Sequence, residues 1–326
     1  MSRPRELTTT LPSPSELDNF HKCPCQWWLQ DRLWIKPIGD RLPLLMGRAC
    51  DHAFDAFYKK VITADSLVLW LDAYVDAHMR GKFDPMLLDP FVASTRDAFR
   101  AWITLYGEVE ETVLAVQPRL NDIYRGRPDL VLGVSDGVVK VRERKLTSPF
   151  ADLDLEIVKY QLGLQPAGYA VMIEDSAMAL FERPVVVESV EIEFLVRSAP
   201  AYSARLKAIP AAVRRESLYI TQQKKDMFRA TANYSNTVMQ SLENHLTSFP
   251  DYATKGVPFE LIPRHPRNCV MKLGKKTYKC DYYKACEVFT DPRALPEDYI
   301  DEGVGDGSSE AATPDTREHQ GQPPTA

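Results

Sequence analysis

Hydrophobic and polar positions alternate in some stretches of the chain and recur every three to four residues in others. Two apolar runs, 130–134 and 138–141, flank Ser135-Asp136-Gly137, a sequence typical of a β-hairpin turn. Alternation over 185–196 predicts another strand, and 109–116 predicts a strand that pairs beside the hairpin. Helical spacing predicts helices over 15–28, 43–60, 66–80, 90–106, 154–172 and 201–249. This order of elements predicts an α/β fold with a central mixed sheet.

The hairpin brings ionisable side chains together if its loop holds three residues. Val134 then pairs with Val138, and the register places Asp129 opposite Glu143. Side chains alternate along a strand, so Lys145 shares the face of Glu143. The other basic residues of this strand point to the opposite face: Lys140, Arg142 and Arg144. The predicted result is two carboxylates with an ammonium beside them.

The alternative is a loop of two residues, Asp136-Gly137, which shifts the register by one. Asp129 would then pair with Arg144, and the ionisable groups would be scattered over both faces of the hairpin. The three-residue loop instead requires Gly137 in the left-handed backbone region. The chemistry of the hairpin therefore depends on one residue of register.

Two carboxylates on a rigid sheet suit Mg²⁺ or Mn²⁺, hard cations that proteins hold through one or two acids, water and phosphate oxygens. A neighbouring lysine orients or deprotonates a metal-bound water and offsets the charge that grows on a phosphate. Asp129, Glu143 and Lys145 therefore predict a site for phosphodiester hydrolysis. The alternative interpretation is a surface hairpin with solvated charges, because short motifs recur by chance.

The first predicted helix begins with a recognisable signal. Ser15 with Asp18 three residues later resembles a capping box, and Pro24 is expected to bend or end this first helix. Asp51 and His52 are neighbours on the second helix, about 100° apart, so they cannot both face the core. One of them is expected to project toward the hairpin.

A second helical signal follows the hairpin. Gln165 and Tyr169 are four residues apart, so they share a face if the helix of 154–172 restarts at Pro166.

Five basic residues farther along are candidate phosphate contacts, although a solvated helix face explains them equally well: Arg214, Arg215, Lys224, Lys225 and Arg229.

Composition limits the class of protein. The chain has 326 residues, 44% of them hydrophobic, which is enough for one large domain or two ordinary ones. It contains no apolar run of the roughly 20 residues that a membrane helix needs and no signal-peptide core, so we expect a cytoplasmic protein that binds no membrane. Six cysteines in such a protein are better explained as metal ligands or buried thiols than as disulfides.

The formal net charge of −5 is unevenly distributed. Residues 291–326 hold nine acidic and two basic residues, a net of −7, which leaves 38 basic against 36 acidic residues, or +2, for the rest. Seven Lys or Arg residues cluster within 264–284 against one acid, Asp281, and a near-neutral protein with such a cluster can bind DNA. The composition of 291–326 predicts an acidic disordered tail.

Three cysteines, Cys269, Cys280 and Cys286, lie within 18 residues that show little hydrophobic periodicity, a pattern typical of a short loop pinned by a metal. A fourth ligand could come from Cys23 or Cys25, which are distant in sequence and would close a very long loop. Four thiolates suit either Zn²⁺ or a 4Fe-4S cluster, and spacing alone does not choose between them.

Together these motifs resemble the RecB-like nucleases of the PD-(D/E)xK superfamily over residues 13–289. The motifs occur in the family's order: Ser15 to Pro24, Gly47 to His52, Gly126 to Asp129, Glu143 to Lys145, Gln165 to Tyr169 and the closing cysteines. The likeness is strongest to the phage and AddB-like members with an iron–sulfur staple.

The resemblance implies a role for each matching residue of the hairpin and the helix after it. Asp129 and Glu143 would bind the metal ion, and Lys145 would act on the attacking water. Gln165 and Tyr169 match the family's Gln-x-x-x-Tyr, which orients the lysine and the DNA strand.

The cysteines also have counterparts in the family. Cys23, rather than Cys25, matches the cysteine before proline and would join three others around a 4Fe-4S cluster, with Zn²⁺ as the alternative: Cys269, Cys280 and Cys286.

Two features depart from the family pattern. Its histidine lies four residues after the glycine, where this chain has Asp51, so either Asp51 replaces it as a metal ligand or a local bulge turns His52 toward the hairpin. The ten-residue spacing between Cys269 and Cys280 is also wide.

The resemblance further implies a restriction-endonuclease-like core, with the central mixed sheet flanked by helices. It implies one nuclease domain over 1–290, with a helical insertion at about 53–106, and a tail over 291–326. The implied activity is that of a Mg²⁺- or Mn²⁺-dependent deoxyribonuclease, an exonuclease acting on single-stranded ends in recombination, repair or phage DNA metabolism. A helicase or recombination protein would be its partner.

Two alternatives belong to other functional classes. One is a catalytically silent member that binds DNA or a replication partner through the same fold. The other is a purely structural zinc protein, which would leave the alignment of Asp129, Glu143 and Lys145 unexplained.

Overall fold

The structure, a computed structural model, describes residues 12–32, 35–37, 42–120, 126–201, 207–248, 270–273, 276–279 and 299–301. It divides into two compact units. The main unit comprises Thr9–Asp18 and Asp40–Val238, and the second unit comprises Met1–Thr8, Asn19–Gly39 and Met239–Ala326. The hairpin and the helical residues that the sequence places beside it all belong to the main unit.

Helices and strands alternate along most of the chain. The helices are α1 (Pro14–Lys22), α2 (Pro24–Trp27), α3 (Leu42–Tyr58), α4 (Leu67–His78), α5 (Pro85–Tyr106), α6 (Leu153–Leu162), α7 (Gln165–Asp175), α8 (Ala177–Phe181) and α9 (Gln222–Thr247). The strands are β1 (Ile35–Pro37), β2 (Val113–Val116), β3 (Leu130–Ser135), β4 (Val138–Thr147), β5 (Val186–Val196), β6 (Ala212–Tyr219), β7 (Val270–Leu273), β8 (Lys276–Lys279) and β9 (Tyr299–Asp301). A π-helical turn, Trp28–Arg32, follows α2, and a 3₁₀ turn, Ala64–Ser66, precedes α4.

A five-stranded sheet forms the centre of the main unit, in the order β2-β3-β4-β5-β6. The pair β4–β5 is parallel, and the other three pairs are antiparallel. A parallel pair needs a long crossover connection, which α6, α7 and α8 provide here. The predicted α/β fold, a central mixed sheet flanked by helices, is confirmed.

The hairpin of β3 and β4 has the predicted register at its open end. Leu130 pairs with Arg142, so the preceding residue Asp129 and the following residue Glu143 occupy opposite positions. Gly137 has φ of 69°, in the predicted left-handed region. The arrangement that scatters the charges over both faces is therefore excluded.

Next to the turn, the prediction is wrong by one residue. Ser135 rather than Val134 pairs with Val138, and the register shifts between Gly133 and Ser135. The bulge adds one residue, Val134, to β3 and so offsets the shift that the pairing of Ser135 with Val138 would otherwise cause along the whole hairpin. The bulge is therefore what keeps Asp129 opposite Glu143.

Helices α3, α4 and α5 bury one apolar cluster against the sheet. Phe54, Leu71 and Phe99 from these helices are fully buried together with Leu130 and Leu132 from β3. Each such side chain contributes about 1.5–3 kcal/mol when it is withdrawn from water. The helices that the sequence assigned to packing thus hold β3 and β4 in a fixed position.

The first helix begins earlier than predicted. Its cap is Ser13, whose Oγ accepts a hydrogen bond of 3.1 Å from the backbone N of Glu16, and Ser15 lies inside the helix. Pro14 is favourable at the first helical position because it has no N–H to leave unpaired. The break at Pro24 is confirmed, since α2 begins at this proline.

The predicted helix over 201–249 is wrong in its first part, because Ala212–Tyr219 forms the edge strand β6 and α9 begins only at Gln222. Several of its candidate phosphate contacts also have protein partners. Arg214 pairs with Asp154 at 2.7 Å. Lys225 is buried, with its ammonium 2.5 Å from Glu174, so this lysine is not presented to a ligand.

The second unit contains two small antiparallel pairs, β1 with β9 and β7 with β8. Strand β9 lies within 291–326, so the prediction of a disordered tail is wrong for these three residues. Cys269, Cys280 and Cys286 lie outside the described residues, as do the side chains of the basic cluster at 264–284. None of the helices in the described ranges is long and apolar enough to be a membrane span.

Candidate active site

Strands β3 and β4 and helices α3 and α7 bring most of the predicted site residues together within the main unit. Contacts and mutual electrostatic effects connect these side chains. They come from the hairpin (Asp129, Glu143, Lys145), from α3 (Asp51) and from the first turns of α7 (Gln165, Tyr169). The spacing of the sequence motifs therefore corresponds to one cluster in space.

Asp129 is oriented by the main chain of the neighbouring strand. Its Oδ2 accepts a hydrogen bond of 2.7 Å from the backbone N of Arg144. Asp129 precedes the first residue of β3, where the regular backbone pairing with β4 ends. The Asp129 side chain therefore accepts the hydrogen bond from the main chain of β4 at this point. This bond fixes the carboxylate of Asp129 beside Glu143.

The two oxygens of the Glu143 carboxylate have different surroundings. Oε1 accepts hydrogen bonds from Lys145 Nζ at 2.5 Å, from Gln165 Nε2 at 3.3 Å and from the Tyr169 hydroxyl at 3.5 Å. Oε2 is buried and has no hydrogen-bond partner among the described residues. A buried acceptor without a partner usually indicates an ion or a water that completes the site.

The start of α7 places Gln165 and Tyr169 over this carboxylate. Gln165 is the first residue of the helix, Pro166 lies in its first turn, and Gln165 Nε2 donates to the Tyr169 hydroxyl at 2.8 Å. Gly168 lets the helix sit close to its neighbours, because a Cβ there would lie 2.5 Å from Pro14 and 2.9 Å from Phe228. The Gln-Pro-Ala-Gly-Tyr sequence thus serves both packing and polar contacts.

The electrostatics of the cluster show an excess of negative charge. Burial raises the pKa of Glu143 to about 7, and the charge of Asp129 adds to this effect, while Lys145 opposes it. Burial followed by the charge of Asp129 likewise raises the pKa of Asp51 to about 7. Burial also raises the pKa of Asp55, one helical turn later, to about 6. A divalent cation would relieve the repulsion among these carboxylates.

The structure distinguishes between the two candidate metal ligands on α3. Asp51 is close enough to Asp129 for each charge to affect the other. The His52 ring instead packs against α4, with its centre 5.5 Å from that of Trp70 and 5.2 Å from that of Tyr74. The prediction that a bulge turns His52 toward the hairpin is wrong, because α3 is a regular helix through this point.

The residues present fit a divalent cation held by few protein ligands. The described ranges contain no ready-made group of three or more His, Cys, Asp or Glu side chains that could hold a metal ion. Mg²⁺, however, commonly binds through one or two carboxylates, with water and phosphate oxygens filling the other positions. The free Oε2 of Glu143 beside the oriented carboxylate of Asp129 provides such a pair.

The opposite face of β4 carries a buried ionic network that the sequence did not reveal. Arg144 Nε donates to Glu193 at 2.7 Å, and Arg142 donates to Glu191. These pairs follow from the parallel register, in which Arg142 is paired with Glu191 and Arg144 with Glu193. Further members of the network are Glu111, Lys140, Tyr58, Trp102 and Arg215.

The network and Asp55 were missed for different reasons. In the sequence, Glu191 and Glu193 alternate with apolar residues, which normally indicates a solvent-exposed face. Both glutamates are buried because arginines of the adjacent strand cover them. Asp55 could have been predicted from the sequence, because it lies four residues after Asp51 and therefore on the same side of α3.

A protein-family comparison identifies the group to which this arrangement belongs. The family model described as the PD-(D/E)XK nuclease superfamily matches residues 12–287, which include every residue of the cluster. The chain belongs to this superfamily. The matched residues include the five-stranded sheet and the hairpin that carries Asp129, Glu143 and Lys145.

A comparison with solved structures also found a similar chain. It comes from Eubacterium rectale and is described as a "putative exonuclease", with 10% sequence identity, a TM-score of 0.41 and coverage of 95% of this chain and 99% of that one. A search of curated protein sequences gave no match.

Proposed function

We propose that this PD-(D/E)XK family member is a metal-dependent deoxyribonuclease that hydrolyses phosphodiester bonds from single-stranded ends. The observation that supports the proposal best is the arrangement around Glu143. One oxygen of its carboxylate is bound by Lys145, Gln165 and Tyr169, and the other is left without a partner among the described residues. A carboxylate held in this way is prepared for a ligand on its free side.

Asp129 and Glu143 would hold Mg²⁺ or Mn²⁺, with Asp51 across from them on α3. When bound, such an ion supplies Lewis acidity and lowers the pKa of a coordinated water. The main-chain bond to Asp129 and the donors to Glu143 Oε1 keep both carboxylates fixed before substrate arrives. Fixed ligands avoid the cost of reorganisation during the reaction.

Lys145 would act on the attacking water and on the phosphate. Its ammonium is held 2.5 Å from Glu143 Oε1, at the edge of the carboxylate pair. A donor at this position can orient a water and offset the charge that develops on a phosphate oxygen. Gln165 and Tyr169 would keep the carboxylate, and through it the lysine, in this orientation.

The decisive experiment compares two lysines of the same region. Mg²⁺-dependent degradation of end-labelled single-stranded DNA is measured for the wild type, for Lys145→Ala and for the control Lys159→Ala. Lys159 lies on α6 with 59% of its side chain exposed and pairs only with its helical neighbour Glu156 among the described residues. We expect Lys145→Ala to lose about 10²- to 10³-fold in rate and Lys159→Ala to remain within about twofold, as for surface substitutions.

The competing proposal is a catalytically silent member that binds DNA or a replication partner. It predicts no cleavage by the wild type with single- or double-stranded substrates in Mg²⁺ or Mn²⁺, together with retained DNA binding. Cleavage that Lys145→Ala abolishes, with binding unchanged, would exclude it. The enzyme is favoured because Lys145 contacts Glu143 and the charge of Asp129 acts on the same glutamate.

A cysteine-bound metal centre, a 4Fe-4S cluster or Zn²⁺, remains part of the proposal. The ten-residue spacing between Cys269 and Cys280 is compatible with one centre, because the hairpin β7–β8 starts one residue after the first and ends one residue before the second. Val270 and Lys279, the ends of this hairpin, are paired. Visible absorption and metal analysis of anaerobically purified protein distinguish iron from zinc, and a metal-free sample would exclude both.

The RecB-like and AddB-like subtype, the place in recombination, repair or phage DNA metabolism, and a helicase or recombination partner are further parts of the proposal. They derive from the motif order in the sequence. The test is pull-down with candidate helicases followed by a coupled unwinding and degradation assay.

A further inference from the structure

The chain that leads into β3 pairs with the chain that leaves β2, at the end of the sheet where Asp129 lies. Leu120 and Gly126 form an antiparallel bridge with two backbone hydrogen bonds, of 3.0 and 3.1 Å. Arg119 and Arg127 are the next residues on the two sides of this bridge, so they occupy opposite positions. Opposite side chains share one face, with their Cβ atoms about 4.5–5.5 Å apart. Arg119 and Arg127 are therefore neighbours, here called the arginine pair.

Burial separates the two faces of this short pairing. Both members of the arginine pair are exposed. The residues that flank them are buried or half-buried: Pro118, Leu120, Gly126 and Pro128. Gly126 lies so close to α7 that a Cβ at this position would overlap with the Met172 side chain. One face thus packs against the protein, and the alternation of side chains leaves the arginine pair on the solvent side.

The arginine pair lies next to the carboxylate cluster. Arg127 is two residues before Asp129, so their Cα atoms are at most about 7 Å apart. Gln117 connects the two residues, because its backbone N donates to the Asp129 carbonyl at 2.9 Å and its side-chain oxygen accepts from Arg127 Nη2. Burial raises the pKa of Asp55 on α3, and the charge of Arg127 opposes this rise. Arg127 is therefore close to both sides of the site.

Gln117 makes this connection in a backbone conformation that residues other than glycine rarely adopt. Its φ is 45°, in the left-handed region. Such conformations persist only where the surrounding structure holds them, and they cluster at active sites and ligand-binding loops. The Arg127 side chain and the Asp129 main chain are thus held by one constrained residue.

The positive charges of the arginine pair are not compensated within the described part of the chain. Arg127 is bound there by the neutral Gln117, and neither arginine forms an ion pair with a described carboxylate. Arg142 and Arg144 of the network, in contrast, each contact a glutamate. Like charges directly opposite each other destabilise a strand pair. An anion bound by both groups would relieve this repulsion, and the planar guanidinium group matches the oxygens of a phosphate.

We propose that the arginine pair binds a phosphate of the DNA strand next to the phosphate that is cleaved. The inference rests on the proposed nuclease function, in which Asp129 and Glu143 hold the metal ion at the cleaved phosphate. DNA is favoured over an acidic peptide as the ligand, because it also supplies the phosphate oxygens that a cation with few protein ligands needs. Contacts of this kind position a strand without reading its sequence.

The test measures binding of a fluorescein-labelled oligothymidylate by anisotropy over a range of NaCl concentrations. EDTA prevents hydrolysis during the measurement. The wild type is compared with Arg119→Gln, Arg127→Gln, the double variant and the control Arg183→Gln. Arg183 has 47% of its side chain exposed and pairs with Asp136 in the turn at the other end of the hairpin. The control therefore removes an exposed arginine far along the hairpin from Asp129.

The expected effects follow from counterion release. Each phosphate contact on single-stranded DNA contributes about 0.7 to the slope of log K against log salt. Each single variant should lower this slope by about 0.7, so that affinities equal at 1 M salt differ about 5-fold at 0.1 M and about 25-fold for the double variant. Arg127→Lys keeps the charge and should keep the slope, while it loses affinity with the bidentate contact. Arg183→Gln should match the wild type.

Thermal melting of each variant without DNA should match the wild type, which separates a lost contact from lost folding. An unchanged slope and affinity in the double variant, or an equal loss in Arg183→Gln, overturns the proposal. Poly-glutamate binding that the double variant loses, with oligothymidylate binding retained, would assign the arginine pair to an acidic partner instead. An inactive wild type would contradict the nuclease function, and the salt slopes, measured without cleavage, would still decide whether the arginine pair binds DNA.

Discussion

The two faces of β4 both hold charged groups, but the groups are in opposite electrostatic states. On the network face, Arg142 and Arg144 are matched by glutamates, and the pKa of Glu193 falls to about 2 because three arginines outweigh the effect of burial. On the site face, burial and then the charge of Asp129 outweigh the opposing effect of Lys145, and the pKa of Glu143 rises to about 7. One strand thus separates a compensated cluster from an uncompensated one.

The difference indicates which charges serve the fold and which serve chemistry. Buried ions that neutralise each other can be tolerated without any ligand, although breaking one pair is costly. Buried carboxylates that repel each other lower the stability of the protein until a cation arrives. Perturbed groups of the second kind are typical of functional sites.

The largest effect on stability is expected from the network face. Glu193 accepts hydrogen bonds from Arg144 and Arg215 at 2.7 Å each and from Trp102 at 3.0 Å. Glu193→Gln would remove the salt-bridge partner of the buried Arg144 and the nearest carboxylate of Arg215, so the free energy of unfolding should fall by about 3–5 kcal/mol in urea denaturation. The control is Glu156→Gln, which breaks the surface ion pair with Lys159. This control should lower the free energy of unfolding by less than about 1 kcal/mol. Equal losses for both variants would contradict the comparison.

An intermediate effect is expected from pH on the site face. Glu143 and Asp51 have raised pKa values in the folded state, so the folded protein binds more protons than the unfolded chain between about pH 4 and 7. Without divalent ions, the free energy of unfolding should therefore fall by about 1–3 kcal/mol as the pH rises from 5 to 8. The pH dependence that Glu193 causes has the opposite sign, because its contribution to stability is present above pH 4.5 and is lost only as the pH falls toward 2.

Urea denaturation in EDTA at pH 5 and pH 8 measures this slope, and Glu143→Gln should flatten it. Mg²⁺ at about 100 times its Kd should restore about 2.7 kcal/mol at pH 8 to the wild type and much less to Glu143→Gln. A wild-type stability that does not respond to pH or Mg²⁺ would show that the carboxylates of the site face are not under repulsion.

The smallest effect is expected at the rim of the network face. Lys140 has 26% of its side chain exposed and lies 3.5 Å from Glu191 and 3.9 Å from Glu111. Lys140→Ala should lower the free energy of unfolding by less than about 1 kcal/mol and leave cleavage unchanged. Thermal melting and the DNA degradation assay check both statements, and a loss as large as that of Glu193→Gln would contradict them.

The sequence was sufficient where the chemistry depends on local geometry. The pairing of Asp129 with Glu143 was predicted correctly, although a bulge between Gly133 and Ser135, rather than a three-residue loop, produces it, and the shared face of Gln165 and Tyr169 follows from four-residue helical spacing. In both cases, residues that act together lie within one hairpin or one helical turn.

The sequence was insufficient where partners come from distant segments. Strand β6 carries charged residues at positions where a strand usually shows apolar alternation, and the half-buried Arg215 is paired with Glu193, which lies opposite on β5. The choice between Asp51 and His52 likewise depended on the rotation of α3 about its axis, which is set by its packing on α4 and α5. Such non-local pairings leave no periodic signal in a single chain.

The bond that orients Asp129 has an evolutionary consequence, because its donor is a peptide nitrogen rather than a side chain. Every amino acid except proline would supply the same N–H at position 144. Substitutions of Arg144 other than to proline would therefore keep the hydrogen bond that orients Asp129, but they would remove a positive charge that interacts with Asp129 and Asp51. The orientation of the aspartate depends on the main chain of β4, whereas its electrostatic surroundings also depend on a side chain of the network face.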